Sequence, residues 1–117
     1  MNIDHTTFFK MLADQTRMRA MMLMESEGEL CVCELTHALK LSQPKISRHL
    51  AQLRETGLVR ARRDGLWMYY QVNPALPEWM LNILQAALSG LKEDKDSLLD
   101  HSRLCAMPDR PGAACCA

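Results

Sequence analysis

The 117-residue sequence lacks any long hydrophobic run. No uninterrupted apolar stretch approaches the ~18 residues that a membrane-spanning helix needs, which argues against a membrane protein. The first residues have neither a basic flank nor the apolar segment that directs export. We therefore expect a cytoplasmic protein with no membrane partner, and at this length one compact domain with a single core.

The sequence also lacks a net charge, because fourteen basic residues cancel fourteen acidic ones. The overall balance therefore predicts no polyanionic partner, but the distribution is uneven. Between residues 43 and 63, six basic residues stand against Glu55 alone. A local surplus of this kind is typical of a face that binds phosphate, and a simply solvated surface is the alternative.

Cysteine is present in an odd number, five residues in all. An odd count in a chain with no export signal argues against a disulfide framework. We expect reduced thiols that are available for metal binding or redox chemistry.

Helical spacing and capping residues predict four helices in the first half of the chain. Two lie within residues 3–27, with Asp14 or Thr16 as the cap of the second. Residues 29–56 predict a short strand, a helix, a tight turn and a second helix that begins at the cap Ser42 and stops at Gly57. This is the helix-turn-helix pattern, and the core stripe of its second helix is Ile46, Leu50 and Leu53.

A basic hairpin follows directly. Residues 58–63 and 66–72 are typical of strands, and Asp64-Gly65 between them predicts a two-residue turn. A helix-turn-helix followed by such a hairpin has the outline of a winged helix. The expected fold class is mainly α with a small β-hairpin, in the order α-α-(β)-α-α-β-β-α.

The last strong pattern is an amphipathic helix from Leu76 to Leu91. Its apolar stripe is too broad for so small a core, so we expect part of it to pair with a second copy in a homodimer; a helix folded on its own core is the alternative. Residues 1–92 would then form the DNA-binding and dimerisation domain, and residues 93–117 a polar, cysteine-containing and partly disordered tail. The predicted interface residues are Trp79, Met80, Ile83, Leu84, Ala87 and Leu88.

The second helix of the helix-turn-helix presents polar residues opposite its core stripe. Arg48 and Gln52 lie one turn apart there, and both are predicted to reach base edges in a major groove. The start of that helix and the tip of the hairpin favour phosphate or the minor groove. His49 is nearer the core face, so a buried boundary position and a DNA contact both remain open. A two-fold dimer on an inverted repeat of double-stranded DNA would supply enough contacts. The predicted DNA-binding residues are Gln43, Lys45, Ser47, Arg48, His49, Gln52, Arg62 and Arg63.

Three segments together resemble the ArsR/SmtB family of metal-responsive repressors, and in particular its arsenical-sensing branch. They are residues 29–35, which contain Cys31-Val32-Cys33, and then residues 42–54 and 57–59. The similarity covers roughly Phe8 to Trp79. It implies a homodimeric repressor, and no enzyme, that occupies the operator of a resistance operon when metal-free and dissociates on binding As(III) or Sb(III). It also implies a sensor at Cys31 and Cys33, a reading helix at residues 43–49, and no organic cofactor.

The residues themselves add a mechanism for the cysteine pair. We expect Cys33 at the cap position of its helix, where cysteine is a poor cap and where the helix start lowers the pKa of a thiol. Residues two apart point to opposite sides of a helix but to the same side of an extended segment. One thiophilic ion that holds both sulfurs would therefore need an extended or unwound helix start, and its binding would deform the helix that supports the reading helix.

One position departs from the resemblance. The arsenical-sensing branch usually has a third cysteine three residues after the second, and here that residue is Thr36. We expect the third thiolate to come from Cys105, Cys115 or Cys116 or from a small thiol, or to be absent. A methylated trivalent arsenical needs only two thiolates, so it remains a candidate inducer.

Two other interpretations stay open. In the first, the same winged helix is a repressor that is switched by oxidation of Cys31 and Cys33. In the second, the chain is a thiol metal carrier or thiol enzyme that binds no DNA. The second leaves the helix-turn-helix unexplained, and the sequence places no histidine or carboxylate where it would activate either cysteine.

Overall fold

The computed structural model describes residues 3–108 and 110 of the chain. These residues form six helices and three short strands, joined by loops. The predicted winged-helix order is confirmed. One further helix, α6, lies where a polar tail was expected. In chain order the elements are α1 (His5–Leu12), α2 (Gln15–Glu27), β1 (Leu30–Cys31), α3 (Val32–Leu39), α4 (Gln43–Thr56), β2 (Val59–Asp64), β3 (Trp67–Val72), α5 (Glu78–Gly90) and α6 (Lys95–Ala106).

Side-chain caps fix the helix starts that the sequence predicts. Asp14 is the N-cap of α2, and its carboxylate accepts a hydrogen bond from the backbone N–H of Arg17 at 3.0 Å. Ser42 is the N-cap of α4 and accepts from the N–H of Lys45 at 3.4 Å. Gly57 ends α4 in the left-handed conformation, φ 92°, which costs glycine little. The helix-turn-helix therefore has the predicted bounds.

The three strands form one antiparallel sheet in the order β1-β3-β2. The hairpin turn differs from the prediction by one residue. Asp64 pairs with Trp67, so the two turn residues are Gly65 and Leu66 and not Asp64 and Gly65. The reason is the backbone of Gly65, whose positive φ of 62° at the first turn position is what a type II′ hairpin turn requires.

The hydrophobic core includes residues that were assigned to the dimer interface. Met80 and Leu84 of α5 are 1% and 0% exposed within the single chain. They belong to the hydrophobic core, and α5 packs against α2, so these two residues are not available to a second copy and this part of the prediction is corrected. The stripe of α5 was broad because it serves two purposes: its inner edge is core, while Trp79 on its outer edge is 44% exposed.

Helix α6 packs against α3 and α2, so the folded part of the chain continues beyond residue 92, into the segment predicted as a polar and partly disordered tail. Its buried Asp100 accepts hydrogen bonds from Arg19 of α2 at 2.9 and 2.6 Å. Arg103 donates to the backbone carbonyl of Ala38 in α3 at 2.6 Å. The apolar pattern of α6 is weak because ionic contacts of this kind, with Leu104, fasten it to the domain. None of the described helices is both long and apolar enough to cross a bilayer.

Candidate metal centre and nucleic-acid interface

Cys31 and Cys33 lie at the junction of β1 and α3, and their sulfur atoms are in contact. The structure records them as a disulfide with Cα atoms 5.5 Å apart. Cys31 is both the last residue of β1 and the N-cap of α3, with extended φ −87° and ψ 166°, so the cap position is Cys31 and not Cys33 as predicted. The extended residue needed for the two sulfurs to meet is therefore already present, and α3 need not unwind.

The buried side chain of Glu34 caps the start of α3. Its Oε1 accepts a hydrogen bond from the backbone N–H of Cys31 at 2.9 Å. Its Oε2 accepts from Nε of Arg110 at 2.7 Å, and the side chains of Glu34 and Arg110 are 0% and 3% exposed. This buried ion pair fastens the segment after α6 to the helix start that carries the cysteine pair. Sequence reasoning missed it, since the partners are 76 positions apart.

No third ligand joins the pair among the described residues. Thr36, at the position of the missing cysteine, donates its hydroxyl to the carbonyl of Val32 at 2.7 Å. Within residues 3–108 and 110, no group of three histidine, cysteine, aspartate or glutamate side chains is placed to hold a metal ion. Cys105 lies half-buried on α6 and is not in such a group. Cys115 and Cys116 lie outside the described residues.

A cavity of about 600 Å³ adjoins the cysteine pair, and we call it the sensor cavity. Its wall is built from four parts of the chain: the start of α3, the first residue of α4, the β2–β3 hairpin and the end of α6. The pair therefore shares one space with the reading helix and the wing. The lining residues are Cys31, Val32, Cys33, Thr36, His37, Gln43, Leu66, Trp67, Met68 and Met107.

Helix α4 presents the predicted polar residues to solvent. The core stripe Ile46, Leu50 and Leu53 is buried, as predicted. His49 is only 8% exposed and lies on the core side, so its position corresponds to the buried boundary and not to a DNA contact. Burial lowers the pKa of His49, and the nearby charge of Asp14 opposes that shift. The exposed residues of the prediction are Gln43, Lys45, Ser47, Arg48 and Gln52.

Arg17 connects α1, α2 and α4, and no sequence pattern indicated this role. Its Nε donates to the carbonyl of Met11 at 2.9 Å, and its Nη1 donates to Oε1 of Gln52 at 3.1 Å. The same Nη1 lies 3.5 Å from Nδ1 of His49. Gln52 is thus held in place by a residue from another helix.

The two wing arginines have different surroundings. Arg62 forms an ion pair with Glu29, with N–O distances of 2.9 and 2.8 Å, and its guanidinium lies 4.9 Å from the ring centre of Tyr69. The contact with Glu29 raises the pKa of Arg62 and lowers that of Glu29. Arg63 is exposed on the same strand. Of the two predicted phosphate contacts, Arg62 is therefore already partly neutralised.

An exposed aromatic cluster lies where α1 meets α5. Phe9 and Trp79 are 49% and 44% exposed, and their ring centres are 6.2 Å apart. Buried Phe8 supports Trp79 from below at 5.7 Å. Half-buried Ile83 lies one turn along α5 from Trp79. We call Phe9, Trp79 and Ile83 the α1–α5 patch; large exposed apolar side chains that cluster in this way mark interaction sites.

Known proteins resemble this chain both in sequence and in fold. The model of the family described as bacterial regulatory protein, arsR family, matches residues 14–61. The arsenic resistance transcriptional regulator ArsR1 of Pseudomonas putida is 54% identical over 88% of this chain and 79% of its own length. The arsenical resistance operon repressor of Escherichia coli is 52% identical over 68% of each chain. The crystal structure of the AntR antimony-specific transcriptional repressor superposes with a TM-score of 0.63 and 28% identity, over 75% of this chain and 77% of that one.

Proposed function

Since the chain belongs to the arsR family of bacterial regulatory proteins, we propose that it is a repressor that leaves its operator when a trivalent arsenical or antimonial binds Cys31 and Cys33. Members of the family are DNA-binding transcription regulators and not enzymes. The relatives named for arsenical resistance and for antimony support this class of inducer.

The observation that carries the proposal is the shared wall of the sensor cavity. Cys31 and Cys33 line it together with Gln43, the first residue of the reading helix, and with Trp67 of the wing. An ion that binds the two sulfurs therefore occupies space next to both predicted DNA-contacting elements. Coupling between two sites needs a ligand that interacts differently with two conformations, and this location provides such contacts.

The chemistry of the pair fits a soft ion. Two adjacent thiolates select thiophilic ions over magnesium or calcium, which prefer oxygen ligands. From the reduced pair, each thiol loses its proton and replaces one hydroxyl of arsenite, so that two As–S bonds form and two water molecules leave. The third position on arsenic then keeps a hydroxyl, or takes a thiolate from Cys105, Cys115, Cys116 or a small thiol.

On the DNA side we propose a homodimer on an inverted repeat. The exposed residues of α4 would enter a major groove, with Arg48 and Gln52 at base edges and the helix start on phosphate. The α1–α5 patch, together with Ala87 and Leu88 of α5, supports pairing of two copies. The sequence predicted a folded domain of residues 1–92. We propose that this domain extends through the end of α6.

A mobility-shift titration on the operator upstream of its own gene tests the proposal. Reduced wild-type protein is titrated with arsenite, antimonite, methylarsenite, cadmium and zinc. We expect release by the trivalent arsenicals and antimonite, and no release of the double variant Cys31→Ser/Cys33→Ser. Cys105→Ser and a chain shortened before Cys115 are matched controls that also locate a third thiolate. Unchanged release of the double serine variant by arsenite would disprove the sensor.

Oxidation is a second candidate trigger, because the sulfur atoms of Cys31 and Cys33 lie in contact. The same assay separates the two triggers. Under oxygen-free conditions an ion-gated repressor leaves DNA with arsenite alone. A redox-gated repressor leaves it with peroxide alone and returns when a dithiol reductant is added.

A further inference from the structure

We propose that the sensor cavity accommodates the organic group of a monosubstituted trivalent arsenical, so that the preferred inducer carries a carbon–arsenic bond. The inference rests on the proposed function, since it assumes that arsenic binds Cys31 and Cys33. It adds a second part to the binding site, namely an apolar wall that distinguishes among arsenicals.

The site offers arsenic an incomplete set of sulfur ligands. Trivalent arsenic forms three bonds, and the described residues next to the pair supply two sulfur ligands. Thr36 does not replace the third, because a hydroxyl is a poor ligand for a soft ion and this one already donates to the Val32 carbonyl. A reagent of the form R–As(OH)2 meets this geometry directly. Two thiols lose their protons, two As–S bonds form, two water molecules leave, and the R–As bond remains intact.

The wall of the sensor cavity contains several apolar side chains. Five apolar side chains line the space beside the sulfurs: Val32, Leu66, Trp67, Met68 and Met107. Val32, Met68 and Met107 are half-buried, whereas Trp67 and Leu66 are 46% and 97% exposed and form the open edge of the cavity. Among the described residues, no aspartate, glutamate, lysine or arginine lines it. Methionine side chains adapt their shape to a bound group, and tryptophan offers a flat aromatic face. The wall therefore favours an organic substituent.

The size of the cavity also favours an organic substituent. An enclosed cavity of about 150 Å³ holds benzene, and the sensor cavity, which is open to solvent on one side, measures about 600 Å³. A methyl group fills little of this volume, and a phenyl group fills more of it.

Arsenite binds the same sulfurs but keeps a hydroxyl where the organic group would lie. Thr36, His37 and Gln43 are the polar side chains on the wall. The remaining hydroxyl gains no apolar contact from the five other side chains. Burial of a methyl group should favour methylarsenite over arsenite by about fourfold, and burial of a phenyl ring should favour phenylarsine oxide by about tenfold or more.

Calorimetric titration of the reduced protein without oxygen tests the inference, with arsenite, methylarsenite and phenylarsine oxide as the three probes. We expect affinity to rise in that order. Met68→Ala and Met107→Ala should weaken binding of phenylarsine oxide several-fold and leave arsenite unchanged. Met11→Ala, a half-buried methionine on α1 away from the cavity, is the matched control.

A direct contact measurement accompanies the affinities. With methionine methyl groups labelled, nuclear Overhauser effects between the phenyl protons and the methyls of Met68 and Met107 are expected. Equal affinities for all three probes, or wall variants that weaken all three alike, would overturn the inference while leaving the cysteine sensor intact. If no arsenical binds wild type more tightly than Cys31→Ser/Cys33→Ser, the proposed function fails as well.

Discussion

At the scale of single residues, Glu34 connects the sensor pair to the end of the described chain. One carboxylate oxygen accepts from the backbone N–H of Cys31 and the other pairs with Arg110, and both contacts are buried. Glu34→Ala removes both contacts and leaves the buried N–H of Cys31 without its acceptor, while Arg110 keeps its ion pair with Glu27 at 3.8 Å. The unfolding free energy should fall by about 1–3 kcal/mol, the cost of an unsatisfied buried donor.

Urea denaturation measures that loss. Glu34→Gln keeps the side-chain oxygen that accepts from Cys31 and should lose less than the alanine variant. Glu55→Ala, an exposed position on α4, is the control and should change little. Equal stability of Glu34→Ala and wild type would show that the ion pair contributes nothing to the fold.

His49 predicts a pH dependence of stability. Burial lowers its pKa in the folded state below the ordinary value of 6.5. As the pH falls below 6.5, the unfolded chain therefore binds a proton that the folded chain resists, and the unfolding free energy decreases. Above that pH the contribution is fully present.

The comparison of wild type with His49→Gln isolates this contribution from the other histidines. Urea midpoints measured between about pH 7.5 and 5.5 should fall more steeply for wild type than for the glutamine variant. Parallel curves would mean that His49 titrates normally in the folded protein.

At the scale of elements, the wing predicts unequal roles for its two arginines. Arg63 is exposed, and its removal should reduce the slope of log K against log salt by about one, the change for one phosphate contact. Arg62 is already paired with Glu29, so Arg62→Ala should change the slope by less. Fluorescence anisotropy on the operator at several salt concentrations measures both slopes. A larger change for Arg62→Ala would mean that this arginine leaves Glu29 when DNA binds.

The elements that the sequence predicted are those with local signals. Ser42, Gly57 and the stripe of α4 define one helix within a short stretch, so its bounds were predictable. Helix α6 was not, because its anchors Asp100 and Arg103 bind partners 81 and 65 positions away and leave no periodic pattern. The prediction also placed the cap of α3 at Cys33, two residues after the observed cap Cys31, for a related reason. Strand β1 has only two residues, and its pairing with β3 depends on the distant hairpin.

At the scale of the whole molecule, the α1–α5 patch predicts the oligomeric state. Trp79→Lys places a charge in the centre of the proposed interface and should weaken the dimer by about 2 kcal/mol or more, as expected for a central tryptophan. Binding to an inverted repeat should weaken with it, because in the proposed dimer each copy would contact one half-site.

Sedimentation equilibrium over a range of concentrations measures the dimer constant. Leu99→Lys on α6 is a matched control, since Leu99 has the same 44% exposure as Trp79 but lies outside the patch. A dimer constant unaffected by Trp79→Lys, or equally weakened by both variants, would remove the patch from the interface.

The pairing of Cys31 with Tyr69 has a consequence for protein engineering. Because Cys31 is itself part of the sheet, we expect that a Cys-x-Cys segment transplanted into another winged helix will not reproduce the proposed response alone. The recipient must also pair the residues equivalent to Leu30 and Cys31 with the second hairpin strand. It must carry an acidic residue at the position equivalent to Glu34. A biosensor designer would therefore exchange the strand, the helix start and the hairpin as one cassette.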